Sequence, residues 1–204
     1  MKNIITVIIL LVSLPAMAVT GPEQLIRQTS NSVITEINAN RDSYQDNPQK
    51  LHALVDELVT PHFNFAAMTD LALGKYKDRI STEQRSLIIN EFRLLLLRTY
   101  SSVLLEYTDQ ELIYLPMDGS EAEGIVTVKT QYDQSGGFPI PVDYNLRLGD
   151  DGWKVFDVKV DEVSLVANYR SSFARSIKRN GVDGLIKTLQ ASNQELLDEG
   201  NQEK

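Results

Sequence analysis

A chain of 204 residues with no cysteine, 28 acidic and 20 basic side chains and a formal net charge of −8 at pH 7 can bury one sizeable core without disulfide staples. The missing cysteine excludes thiolate metal sites and cysteine nucleophiles. The acidic balance disfavours nucleic acid and lasting adsorption to an anionic membrane surface, and solubility is a sufficient reason for it.

The N-terminus reads as an address. Lys2 is a positive start, Ile4 to Leu14 is an apolar run, and Ala16-Met17-Ala18 after Pro15 is an A-x-A cleavage site. Residues 1–18 are therefore expected to be a secretory signal peptide, too short for a membrane span. No cysteine stands at the cleavage point to make a lipoprotein, so the expected product is an exported chain starting at Val19. Export without disulfides fits a bacterial periplasm. Residues 19–197 read as a single domain and 198–204 as a polar tail.

Pro22 opens a first helix running to about Tyr44, with Leu25, Ile26, Val33, Ile34 and Ile37 at helical spacing. Asn47-Pro48 opens a short helix that Pro61 ends, and Asn64 caps another from Phe65 to Leu73, stopped by Gly74. Ser81 and Gln84 form a capping box for the longest helix, to about Glu106. Its Leu94 to Leu97 turn is apolar on every face, so protein or a bound molecule must surround it.

From Glu111 the period changes to two. Strands are expected at Glu111–Leu115, Gly124–Tyr132, Phe138–Leu148 and Gly152–Val160, with turns at Asp118-Gly119, Ser135-Gly136-Gly137 and Asp150-Asp151-Gly152. In the third strand Ile140, Val142, Tyr144, Leu146 and Leu148 alternate with Asp143, Asn145 and Arg147, as in a meander with one buried face. Ser164 caps a helix to about Asn180, Gly181 stops it, and a last helix spans Val182 to Leu197. Helices, a four-stranded antiparallel meander, then helices give an α+β class with helices on one face of a curved sheet.

Catalytic chemistry is sparse. His52 and His62 lack metal-ligand spacing, which argues against zinc, and His62 between Pro61 and Phe63 reads as a capping or packing residue. Asp157 in the last strand has two readings: a general base in a cavity, as a small isomerase or dehydratase would need, or a structural carboxylate on the less buried face or paired with a basic residue. The apolar supply also has two readings. The long helix offers Leu96, Tyr100, Val103 and Leu104; the sheet offers Val128, Tyr144, Leu146 and Val158; the last helices offer Val166, Tyr169, Phe173, Ile177 and Leu189. They form either an ordinary core or the wall of a cavity for an apolar ligand, the core alone leaving a lipid-free adaptor. Arg170, Arg175, Lys178, Arg179 and Lys187 form either a solvated basic face or a docking patch.

Several separated stretches carry a resemblance. They are Pro61-His62-Phe63-Asn64-Phe65, Met68, Ala72-Leu73-Gly74, then Gln84, Phe92, Leu96 and Tyr100. The most specific runs from Trp153-Lys154-Val155-Phe156-Asp157-Val158 to Ser164-Leu165-Val166-Ala167-Asn168-Tyr169-Arg170-Ser171-Ser172-Phe173, followed by Gly181, Asp183, Gly184 and Leu185. Together they resemble the MlaC family of periplasmic phospholipid-binding proteins, the Ttg2-type toluene-tolerance family. The chain departs from that pattern at Asn64, where Asp is usual, at Lys75-Tyr76, where the pair usually ends in Trp, and at Glu162, where Gly is common.

The resemblance implies an NTF2-like fold with an apolar pocket that takes phospholipid acyl chains as cargo, with no cofactor, metal or catalysis. It implies a monomeric periplasmic shuttle maintaining outer-membrane lipid asymmetry. Its expected partners are an outer-membrane lipoprotein–porin complex and an inner-membrane MCE-domain ABC transporter. The thirteen apolar residues then line the lipid pocket, and Arg170, Arg175, Lys178 and Arg179 dock partners.

Overall fold

The computed structural model describes residues 20–106, 112–133 and 137–202, with side chains to 198. The expected signal peptide, Glu111 and the Ser135-Gly136 part of the second turn lie outside the described residues.

The N-terminal part is helical. Pro22 opens α1 (Pro22–Gln45) after an extended Gly21, and the helix is interrupted at Asn40, where φ is −135°. In α2 (Pro48–Leu58) the Asn47 side chain accepts the Lys50 N–H at 3.3 Å. Asn64 caps α3 (Phe65–Leu73) by accepting the Ala67 N–H at 2.9 Å, and Gly74 ends it with φ of 53°. The Ser81–Gln84 capping box opens α4 (Thr82–Tyr100), both reciprocal bonds being 3.2 Å. The long helix was expected to reach Glu106. It stops at Tyr100 and resumes as α5 (Val103–Glu106) after Ser101-Ser102, residues whose side chains are poor partners for a helix interior.

An open antiparallel sheet follows: β1 (Leu112–Tyr114), β2 (Asp118–Ser120), β3 (Ile125–Tyr132), β4 (Ile140–Gly149), β5 (Gly152–Val160) and β6 (Val163–Ser164). The order is β1-β3-β4-β5-β6, with β2 also on β3. All four expected strands are present, and the count rises to six because β2 and β6 are short additions. Asp118-Gly119, expected as a turn, lies inside β2 with Gly119 opposite Val126. A β-carbon at Gly119 would stand 2.6 Å from the Ile125 carbonyl oxygen, so only glycine lets these strands close.

A bulge sits in β5, where Asn145 pairs with Asp157 but Leu146 pairs with Val155, leaving Phe156 as the extra residue. The bulge resets the alternation, so Val155 and Val158 share the inner face while Asp157 points to the other. The final helix α6 (Leu165–Gln202) contains the two expected segments, which meet at Gly181 with φ of 71° and ψ of −177°. It continues through the expected tail to Gln202.

Three buried clusters hold these elements together. One joins α3, α4 and α6 around Met68, Phe92, Phe173 and Leu185. Another fills part of the inner sheet face around Val126, Leu146, Trp153 and Val155, with Ile26 of α1 against it. The third joins α1 and α2 through Val33, Ile37, Tyr44 and Leu51.

Candidate functional site

Where the three clusters meet, the interior is not filled. A cavity of about 300 Å³ lies between the sheet and the N-terminal helices, within the range typical of ligand pockets. Helix α1 contributes Ile26, Thr29, Ser30, Val33 and Ile34, and α2 contributes Val55, with Val59 at its C-cap. Phe63 comes from the residues before the α3 cap, Phe65 and Met68 from the start of α3, and Leu96, Leu97, Tyr100, Ser101, Val103 and Leu104 from the broken α4–α5 segment. The sheet closes the other side with Tyr132, Ile140, Val142, Tyr144, Val158 and Val160. The register explains this wall: Val142 is opposite Val160 and Tyr144 opposite Val158 on one face.

The inner sheet face is thus used twice. Toward Gly149 the Trp153 ring, with Val155, Val126 and Leu146, packs it solid. Toward Tyr132 and Val160 the same face borders the cavity. The Leu94 to Leu97 turn is similarly divided: Leu95 and Leu96 belong to the cluster shared with α6, while Leu96 and Leu97 also face the cavity.

Among the described residues the wall carries no Asp, Glu, Lys or Arg. His62 is its one ionisable imidazole, and burial, followed by the nearby Lys154 ammonium, lowers its pKa and holds it neutral. Tyr144 is hydrogen-bonded to Tyr132, and burial first, then that neighbour, pushes its pKa well up, so it stays a neutral hydroxyl. At the α4 end Tyr169 lies beside Tyr100 and Thr99, with its pKa raised by burial before its tyrosine neighbour. Of the residues lining the cavity, Tyr100, Val103 and Val160 are the most exposed, at 38%, 39% and 40%. A chamber lined in this way can bury hydrocarbon.

Of the thirteen residues expected along the pocket, Leu96, Tyr100, Val103, Leu104, Tyr144 and Val158 line this cavity. The other seven do not. Val128 and Leu146 belong to the solid part of the sheet face. Val166, Tyr169, Phe173, Ile177 and Leu189 pack on the far side of α4, because α6 lies against α3 and α4 and reaches β5 at its start. The α1–α3 wall was missed, although the helical stripe Ile26, Val33, Ile34 and the Phe63–Phe65 run signalled apolar burial.

Asp157 is 8% exposed and does not line the cavity. The expected less buried position or basic partner is replaced by local donors. Its carboxylate accepts the Ser164 hydroxyl at 2.8 Å and the Val166 N–H at 3.2 Å, with the Asn145 amide at 3.5 Å. It holds the first turn of α6. Among the basic residues, Arg170 donates from Nε to the Leu71 carbonyl at 2.9 Å and lies over Gly74, tying α6 to α3. Arg175, Lys178 and Arg179 are exposed. Among the described residues no cluster of three or more His, Asp or Glu could hold a metal, and no helix is long and apolar enough to cross a membrane.

Comparison with known proteins agrees with this architecture. The chain is 25% identical over 185 residues to the intermembrane phospholipid transport system binding protein MlaC of Haemophilus influenzae, covering 89% of this chain and 86% of that one. It is equally 25% identical to the toluene tolerance protein ttg2D of Pseudomonas putida, covering 89% and 85%. A phospholipid-binding protein from Ralstonia solanacearum, solved in complex with a phospholipid, superposes with a TM-score of 0.78 at 30% identity, over 86% of this chain and 98% of that one. Residues 27–191 match the family model described as MlaC protein, and the chain belongs to that family.

Proposed function

We propose that this protein is a periplasmic phospholipid carrier, holding acyl chains in the cavity while the head group stays at the mouth. The observation that carries this reading is the cavity itself: apolar, without formal charge among its described lining residues, and with Tyr100, Val103 and Val160 as its most exposed walls. The bound phospholipid of the Ralstonia solanacearum relative supports it. Moving hydrocarbon through water costs about 0.8 kcal/mol per CH₂, so a lipid crosses an aqueous compartment only with its chains sheathed.

In this reading the protein shuttles lipid between the outer and inner membranes and so maintains outer-membrane lipid asymmetry. It acts as a monomer and is processed by removal of residues 1–18. The lipoprotein–porin complex and the MCE-domain transporter are its docking partners, approached through the exposed basic residues Arg175, Lys178 and Arg179 with Arg170 beside them. Asp157 has a structural role, outside the cavity, which favours carriage over catalysis.

Native mass spectrometry of protein purified without detergent tests the proposal. The expected result is a complex heavier than the chain by one or more phospholipids, recovered in a solvent extract. A ligand-free mass with no lipid in the extract would overturn it.

A further inference from the structure

The cavity wall formed by α4 and α5 is broken near the surface. α4 stops at Tyr100 and α5 starts at Val103. Across the gap the backbone bonds tighten to a three-residue step: the Leu104 N–H reaches the Ser101 carbonyl at 3.1 Å and the Leu105 N–H the Ser102 carbonyl at 3.0 Å. Val103 and Leu104 line the cavity. Ser102, Val103 and Glu106 are exposed, so this stretch of wall has solvent on its outer side. A helix of four residues does not sustain itself, because nucleation costs more than so few bonds return.

Its hold comes from α1. Leu104 and Leu105 pack against the cluster of Val33, Ile37 and Tyr44, and Arg41 donates from Nη1 to the Leu105 carbonyl at 2.9 Å. Nη2 of the same guanidinium reaches Asn38 at 3.3 Å. The α1 side of this contact is braced, although the helix is interrupted at Asn40. Glu36 spans the interruption, accepting the Asn40 amide at 2.8 Å and the Tyr44 hydroxyl at 2.9 Å. A second observation lies at the break itself. Ser101 is 2% exposed, and its hydroxyl has no hydrogen-bond partner among the described residues. The closed wall thus holds an unsatisfied buried hydroxyl at the point where it would bend, a cost that movement there relieves.

Resting on the carrier reading, we propose that α5 is a gate of the lipid cavity, hinged at Ser101-Ser102 and latched by Arg41. Opening carries Val103 and Leu104 away from the chamber and gives acyl chains a way past the wall. It breaks the Arg41 bond and the Leu104 and Leu105 contacts, and lipid then enters or leaves while α1, α2 and α4 stay folded. Segments held by so few contacts open locally, at the low end of a protein's range of stabilities, and lids of this kind can set the rate of release. Loss of the Arg41 bond should quicken exchange roughly three- to ten-fold, the net scale of a single hydrogen bond.

Protein loaded with pyrene-labelled phosphatidylcholine is mixed with phosphatidylcholine vesicles, and the rate of lipid loss is followed by fluorescence. Deuterium uptake by the backbone amides is measured on the same samples. Arg41→Met, which keeps the apolar stem, should lose lipid roughly three- to ten-fold faster than the native chain, with uptake raised in α5 and unchanged in α1 and α2. Ser102→Gly, at an exposed position, should loosen the hinge and move both readouts the same way. It decides the matter alone if the Arg41 variant does not fold. Arg41→Lys, which keeps a donor, should fall between the native chain and Arg41→Met. Unchanged transfer in the folded variants overturns the gate and leaves the carrier intact. Faster transfer with uptake raised through α1 and α2 also overturns it, because the fold and not the gate has then loosened. Failure of the native chain to take up the pyrene lipid overturns the carrier reading and the gate with it.

Discussion

The Asp157 carboxylate accepts the backbone N–H of Val166 at 3.2 Å, so the last long strand caps the helix that follows it. Ser164 adds its hydroxyl to the same carboxylate at 2.8 Å and itself accepts the Ala167 N–H at 3.0 Å. Three donors at the start of α6 are thus satisfied within one short stretch, and this is why the strand-to-helix run keeps an acid among apolar neighbours without needing a cation.

Removing that acceptor strands buried donors. Asp157→Ala should destabilise the fold by about 1–3 kcal/mol, the cost of leaving such groups unpaired, read as a lower urea midpoint. Asp157→Asn keeps one acceptor oxygen and should lose less. Both should still carry lipid. If Asp157→Asn is as stable as the native chain but no longer retains lipid, a role at the cavity must be reconsidered.

Cavity and core can be separated by two substitutions. Val158→Phe adds bulk to the hollow part of the sheet face and should lower lipid per protein while the chain stays folded. Phe173 is 2% exposed and meets Phe92 edge-on at 5.1 Å on the far side of α4. Phe173→Ala should instead cost about 3–5 kcal/mol, as large core truncations do, with lipid occupancy of the folded fraction unchanged. Lipid extraction alongside chemical denaturation measures both, and the opposite pattern would exchange the two assignments.

Much of this arrangement is local and therefore legible in sequence. The Ser81–Gln84 capping box, the Asn64 cap, the Gly181 break and the period of two in β3–β5 depend on residues a few positions apart. Asp118-Gly119 misleads because the same dipeptide serves a tight hairpin or, as here, a strand pressed against a neighbouring carbonyl. The cavity was half legible. Leu96 and Ile177 are equally apolar, and only the packing of α6 behind α4 sends one to the cavity and the other to solid core. Val128 and Tyr144 are cross-strand partners, yet Trp153, more than twenty residues from Val128, decides where the filling stops. Such contrasts come from contacts distant in sequence, which periodicity does not encode.

Histidine ionisation should set an acid limit. The pKa of His62 is lowered from its ordinary 6.5 by burial and then by Lys154, and that of His52 is lowered by burial and then by Arg98. A lowered folded pKa means that the unfolded chain takes up protons first. The contribution is therefore complete above pH 6.5 and is lost as pH falls from there toward the lowered folded values. Native protein should lose stability between pH 6.5 and 5.5, and a His52→Gln/His62→Gln chain should lose less over that interval. Parallel denaturation curves for the two chains across it would remove the histidines from the account.

The turn at the cavity rim stores a correctable strain. Asp161 and Glu162 have φ of 50° and 62°, both in the left-handed region, as a two-residue hairpin of this type requires. Aspartate tolerates that conformation; glutamate gains nothing there, and glycine suits the second position best. Glu162→Gly relieves the β-carbon clash but also loosens the unfolded chain, so the net gain should be about 0.5–1 kcal/mol. Glu162→Ala separates the two effects, since it removes the carboxylate while keeping the β-carbon, and it should not stabilise. Thermal denaturation of both variants gives the answer. A Glu162→Gly chain no more stable than the Glu162→Ala one would show that the backbone at this turn is unstrained, and that the loss of the β-carbon relieves nothing.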